Sequence, residues 1–281
     1  MIEKTLVNGD YYLGGWKKNK KHGYGYFKSS KHDAVLLGKF DEDKLSGYGE
    51  KLVRQKTKFI GAWKMGKLNG DAQIFENDEL VYSGEMRNGL YDGQGSLTKS
   101  NGISYRGEFR CGKFDGNGVL VLEKIDNYKY EGQFARGRPH GPGILEKPDG
   151  TRYDGTFFDG QLHGRGELIE QNGIKYEGDF FRGKPHGEGS LKFQDESCYK
   201  GTFVEGNIQG RGSFYWGSNE QVSGTWSSGH LAGYLERRFP DKVLLCGHLV
   251  DGIISGDGQK KWMQPKGQYV GNLEAGRIHG H

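Results

Sequence analysis

Five of the nine histidines recur at one place in a pattern. His22, His140, His163, His186 and His279 each stand just before a glycine, three of them exactly 23 residues apart. Imidazole is the commonest metal ligand, so a repeated histidine raises the question of a metal site. If each repeat is a β-hairpin, equivalent residues lie about 10 Å apart, whereas the ligands of one ion must converge within ~2.1 Å of it. The expected role is therefore a turn-stabilising hydrogen bond, with partner contact as the alternative, and no metal is expected. Asp41, Glu42 and Asp43 form a carboxylate cluster, but acid–base work needs a pocket that shifts a pKa, and a turn between strands is solvated. The Gly-x-Gly pairs are no nucleotide signal, because they recur throughout and no GxxxxGK[ST] phosphate loop accompanies them. Cys111, Cys198 and Cys246 are odd in number, far apart and without a CxxC pair. They make neither a disulfide framework nor a zinc motif, and they suit a reducing, intracellular setting. No Ser/His/Asp or Cys/His set stands out from the repeat background. The reading is of a non-enzyme that needs no cofactor.

The elements that must carry these residues are set by the repeat itself. Tyr105 to Gly118 reads Y-x-G-x-F-x-x-G-x-x-x-G-x-G, and the pattern returns from Tyr130, Tyr153, Tyr176 and Tyr199. Its first glycine runs from Gly14 to Gly271 in steps of 23 to 25 residues. Residues 1–281 thus form one continuous array of eleven complete repeats and a twelfth that starts at Tyr269 and stops within its last glycines. Material after His281 is a possibility the repeat leaves open. The eighth position is Gly in ten copies and Asn19 or Asp43 in the first two. Asn and Asp are the residues that best tolerate positive φ, so a left-handed turn is expected there. The fourteenth is Gly except at Ala72 and Leu235. It looks like room for a neighbouring side chain, which Leu235 should disturb.

Two stretches of period-two alternation flank each turn, the mark of strands with one apolar face. A loop of several residues containing Gly joins them. The expected fold is all-β with little or no helix: one elongated, twisted antiparallel meander of stacked hairpins of about 23 residues. Glycine, 50 of 281 residues, would supply sockets into which the aromatic rings of adjacent strands fit. Stability would then come from nearest-neighbour contacts, over a length of roughly 110 Å. No run approaches the ~18 apolar residues of a membrane-spanning helix, and no secretory signal is visible at the N-terminus.

The motif resembles the MORN (membrane occupation and recognition nexus) repeat along the whole chain: YxGxF, the turn glycine, and the HGxG of His140–Gly143, His163–Gly166 and His186–Gly189. The resemblance implies an extended β-meander. It also implies company with junctophilins, radial-spoke heads of cilia, parasite cytoskeletal scaffolds, and the repeat regions beside catalytic domains of alsin, plant phosphatidylinositol-phosphate kinases and a histone lysine methyltransferase.

Three functions are carried forward. The first is a scaffold that binds proteins, placed in the cytoskeleton and above all in a ciliary or flagellar axoneme. Its groove would be the ladder Tyr105, Phe109, Tyr130, Phe134, Tyr153, Phe157, Tyr176, Phe180, Tyr199 and Phe203, which is core first and a seat for a helix or peptide second. Phe158 and Phe181 follow core rings by one residue, so alternation sends them, as neighbours, to the opposite face for partner contact; homodimerisation belongs among the options. The second places the chain on the cytoplasmic face of a membrane, its basic end meeting anionic phospholipids. Residues 1–70 hold 15 Lys and Arg against 7 Asp and Glu, while the rest holds 25 against 29. Lys17, Lys18, Lys20 and Lys21 form the densest point and the candidate contact for lipid or an acidic protein. Nucleic acid is not expected, because the basic charge does not continue as a phosphate-tracking stripe. The third is the regulatory region of a larger enzyme.

Overall fold

The structure is a computed structural model that describes residues 2–124, 127–217, 219–263 and 265–279. Gly280 and His281, where the truncated twelfth repeat stops, lie outside the described residues. Among the described residues there are twenty-five strands and no helix, and the strands belong to one antiparallel sheet. Contacts divide the chain into two compact units, Met1–Gly141 and Pro142–His281.

Within each unit, consecutive strands pair in a register set by glycine. In the first unit Gly107 stands opposite Gly118 of its own hairpin, and Gly118 opposite Gly132 of the next. In the second, Gly155, Gly166, Gly178, Gly189, Gly201, Gly212 and Gly224 form one row from strand to strand. The first tyrosine of a repeat lies flat across such a pair. A methyl group added at Gly118 or Gly166 would land under 3.0 Å from the ring of Tyr105 or Tyr153. The sockets expected from composition are thus glycine pairs, one from each strand of a hairpin.

The turn expected at the eighth position has positive φ in both sequence variants, 62° at Asn19 and 68° at Asp43, and 80° at Gly112. The loop is shorter than expected. The strand Ile103–Arg110 ends and Lys113–Leu122 begins with only Cys111 and Gly112 between them. Cys111 too has positive φ, 50°. Two successive left-handed residues are the mark of a type I′ turn, whose twist matches that of the strands. The turn amides are also stitched to the preceding repeat: Gly112 N–H donates to Tyr91 C=O and Gly206 N–H to Pro185 C=O, at 2.8 and 2.9 Å.

Leu235 does not disturb the fold as expected. It is 3% exposed, and Val222 stands where its hairpin would otherwise carry tyrosine. Val222 and Leu235 line one groove, where a smaller first residue leaves room for a larger fourteenth one, an exchange of the kind cores tolerate.

Candidate interaction surfaces

The first position and the fifth point to one face, where they close on themselves. In the second unit Tyr153 meets Phe157 and Phe180, Tyr176 meets Phe180 and Phe203, and Tyr199 meets Phe203 and Trp226, all edge-to-face at 5.0–5.3 Å. In the first unit Tyr105 packs the same way against Phe109 and Phe134, and Tyr130 against Phe134. Such pairs contribute about 0.5–1.5 kcal/mol each beyond area burial. Each buried phenol needs an acceptor. A register shift after the first glycine leaves the next residue bulged, and its carbonyl accepts the bond: Tyr105 O–H donates to Glu108 C=O at 2.8 Å, Tyr153 to Thr156 C=O at 3.0 Å. Burial raises the phenols of Tyr130, Tyr153 and Tyr176 from 10.0 to about 12. The ten rings proposed for the groove are 0–5% exposed, so they serve as core. Beside Tyr153 and Phe157 an open groove of about 720 Å³ remains, walled by Leu145, Leu162 and Leu168.

The sixth and eleventh positions share the opposite face. In the second unit Phe158 and Phe181 are exposed, at 57% and 40%, and His163 lies between them with its ring 5.6 Å from each. His186 continues the row, 5.7 Å from Phe181. The two phenylalanines are therefore a repeat apart with an imidazole wedged between, rather than direct neighbours. Arg182 lays its guanidinium over Phe181 at 5.1 Å, a cation–π contact.

The same face of this unit holds an open groove of about 980 Å³. Its floor is the glycine row from Gly178 to Gly224, and its walls include Arg165, Glu177, Glu188, Lys200 and Arg211. Glu188 accepts a hydrogen bond from the Thr202 hydroxyl at 2.8 Å.

The MORN repeat model matches residues 12–34, 82–104, 105–123, 130–152, 153–173, 176–198 and 199–221. This chain belongs to the MORN-repeat family. No curated protein matches it. Among solved structures, the TCP domain of SAS-4 (dCPAP) of Drosophila melanogaster, in complex with a proline-rich motif of Ana2 (dSTIL), is similar at 9% identity and a TM-score of 0.38, with 62% of this chain and 86% of that chain covered. The wild-type TCP10 domain of Danio rerio CPAP is similar at 12% identity and a TM-score of 0.30, with 87% and 92% covered.

Between MORN repeats, the eleventh side chain ties one hairpin to the next. Asp92 accepts from Cys111 N–H at 3.1 Å, Asp115 from Arg136 N–H and Gln209 from Ser228 N–H. Asp92, Asp115 and Gln209 thus make, at this position, the kind of turn-stabilising bond that was expected of histidine. His22 and His279 instead pair with Asp41 and Glu274, at 3.2 and 2.9 Å, and His163 packs between rings. Among the described residues, no three His, Cys, Asp or Glu side chains converge as a metal site would require.

The basic turn of the first MORN repeat faces the acidic turn of the second. Lys20 pairs with Glu42 at 3.5 Å and Lys21 with Asp43 at 3.3 Å. Asp43 also accepts the Lys21 amide at 2.9 Å, and that bond together with the lysine charge lowers its pKa against a desolvation that raises it. Half of the expected lipid contact is committed inside the chain. Sequence reasoning had both clusters in view but not the register, one repeat apart, that brings them together.

Proposed function

We propose that this MORN-repeat chain is a non-catalytic scaffold of a ciliary axoneme or other cytoskeletal assembly, holding protein partners on its open faces. The observation that carries this reading is the division of labour between the two faces of the sheet. The aromatic ladder consumes its own apolar surface, and the opposite face keeps an open, charged groove of about 980 Å³ floored by glycine backbone. Small-molecule sites bury most of their ligand in a cleft lined mainly by apolar groups. A shallow groove with fixed charges of both signs suits a protein surface of complementary charge. The ciliary setting is supported by the company that the repeat keeps in radial-spoke heads and cytoskeletal scaffolds.

The test uses the full chain in ciliated cells, comparing the wild type with the double variant Arg165→Glu, Arg211→Glu. The wild type is expected to sediment with demembranated axonemes and the variant to stay soluble. A wild type absent from the axonemal pellet overturns the placement. Equal sedimentation of both overturns the groove as the contact surface.

A further inference from the structure

The charged groove of the second unit has a width and a rhythm that select its occupant. Its floor is the row of facing glycines, so no side chain rises along the midline. On the strand Lys184–Lys192, Glu188 and Ser190 flank Gly189. The walls therefore stand two residues apart, about 6.8 Å. One wall carries the thirteenth position of three successive repeats: Arg165, Glu188 and Arg211. These lie on alternate strands, so the charges run plus, minus, plus at intervals of about 9.6 Å. Among the described residues neither the Arg165 nor the Arg211 guanidinium has an ion-pair partner. Glu188 takes a hydrogen bond from the Thr202 hydroxyl but no cation. Asp179 stands opposite Arg165 in register and leans away toward Gly187, where an added Cβ would meet its carboxylate at 3.0 Å. The facing wall is balanced, with Glu177 and Lys200.

We propose that this groove seats an extended, mixed-charge protein segment whose residues run acid-x-x-base-x-x-acid. A polyproline II chain turns once in three residues over about 9.3 Å, so every third side chain returns to the same wall one repeat further on. The two acids then meet Arg165 and Arg211, and the base meets Glu188. An α-helix is about 10–12 Å across with its side chains and would ride on the walls rather than enter between them. A nucleic acid would bring its phosphates against Glu177 and Glu188, where binding needs cations. Segments of this kind are what unfolded, charged regions of proteins supply. Exposed charge pairs are individually weak, so a Kd of about 0.1–1 mM is expected for one such segment. The proposal rests on the reading of this groove as a protein contact and adds the partner's chemistry.

The test is an NMR titration, at low ionic strength, of the full chain into a synthetic peptide. The peptide has a glutamate three residues before and three residues after a lysine, with serine and proline between. Binding is expected to weaken about two- to fivefold in Arg165→Gln and in Arg211→Gln. Glu188→Gln keeps an acceptor for Thr202 and removes only the charge. It should weaken the lysine peptide by a similar factor and leave unchanged a peptide with serine in place of the lysine. Moving the lysine by one residue turns it off the wall and should weaken binding to the wild type. Circular dichroism confirms that each variant is folded. No binding by the wild type at about 1 mM, equal binding of the peptide with the displaced lysine, or a Glu188→Gln effect that is the same for both peptides overturns the proposal. The groove reading fails separately: it falls if the double arginine variant still sediments with axonemes, whatever this peptide does.

Discussion

Within each unit the sixth and eleventh positions of the repeat share one face, yet they are built from opposite chemistries. In the first unit they are Arg87 with Asp92 and Arg110 with Asp115, ion pairs of 3.1 and 3.8 Å whose carboxylates also accept turn amides of the next repeat. In the second they are Phe158, His163, Phe181 and His186. The inner face hardly changes: Tyr105 and Tyr153 are 0% and 1% exposed, each with its phenol on the carbonyl three residues ahead. One face is held constant by packing while the other is open to be rewritten. A row that fastens turn to turn at Asp92 and Asp115 becomes, from Phe158 to His186, an aromatic strip.

This contrast can be broken at several points. The largest effects belong to the repeated chemistry of the inner face. Tyr105→Ala and Tyr153→Ala each remove a ring from a glycine socket and are expected to cost about 3–5 kcal/mol, alike in the two units by denaturant titration. A cost confined to one unit would show that the inner faces are not equivalent. Placing valine at Gly166, where a Cβ meets the Tyr153 ring, should cost about 1–3 kcal/mol by overpacking. The same change at Gly224 should cost less, because there the nearest atoms belong to the side chains of Leu231 and Leu235, at 3.0 and 3.2 Å.

Alkaline pH tests the inner faces together. The fold keeps the phenols of Tyr130, Tyr153 and Tyr176 neutral and raises their pKa to about 12 from 10.0. A folded-state pKa above the unfolded one means that the contribution is whole below pH 10 and is lost as pH climbs through 12. Stability measured by denaturant titration should be flat below pH 10 and fall above it. A fall that begins near pH 8 would assign the transition to other groups.

The outer row gives smaller effects, and these sharpen the contrast. Asp115→Ala removes a hydrogen bond to the turn amide of Arg136 and should cost about 1 kcal/mol. His163→Ala opens a gap on an exposed surface and should stay within about 0.5 kcal/mol. Equal losses would mean that the aromatic row fastens the second unit as the ion pairs fasten the first. Comparably small is Lys20→Ala, which breaks an exposed ion pair that contributes at most ~1 kcal/mol.

What the sequence revealed follows from what a repeat can display. Asn19 and Asp43 exposed a backbone requirement because they substitute for glycine with the next-best residues for it, and both have positive φ. The pairing of aromatic rings with glycines was legible because both recur in step. Met65 and Arg136, at the seventh position, also have positive φ, yet nothing in their chemistry announces it; the two-residue turn imposes it on them. The meeting of Val222 with Leu235 was hidden because only packing shows that two departures from the pattern line one groove. The His163 wedge and the pairing of Lys20 and Lys21 with the next turn depend on register between repeats, which a linear pattern does not carry.

The central claim is that the inner face is closed core and the outer face of the second unit is the contact surface. Hydroxyl-radical footprinting of the full chain, dilute and then bound to isolated axonemes, tests it directly. Protection is expected at Phe158 and Phe181 and along the groove at Arg165 and Arg211, with Tyr153 and Tyr176 unreactive in both states. Protection at Leu162 and Leu168 on the inner groove, with the outer row unchanged, would contradict it.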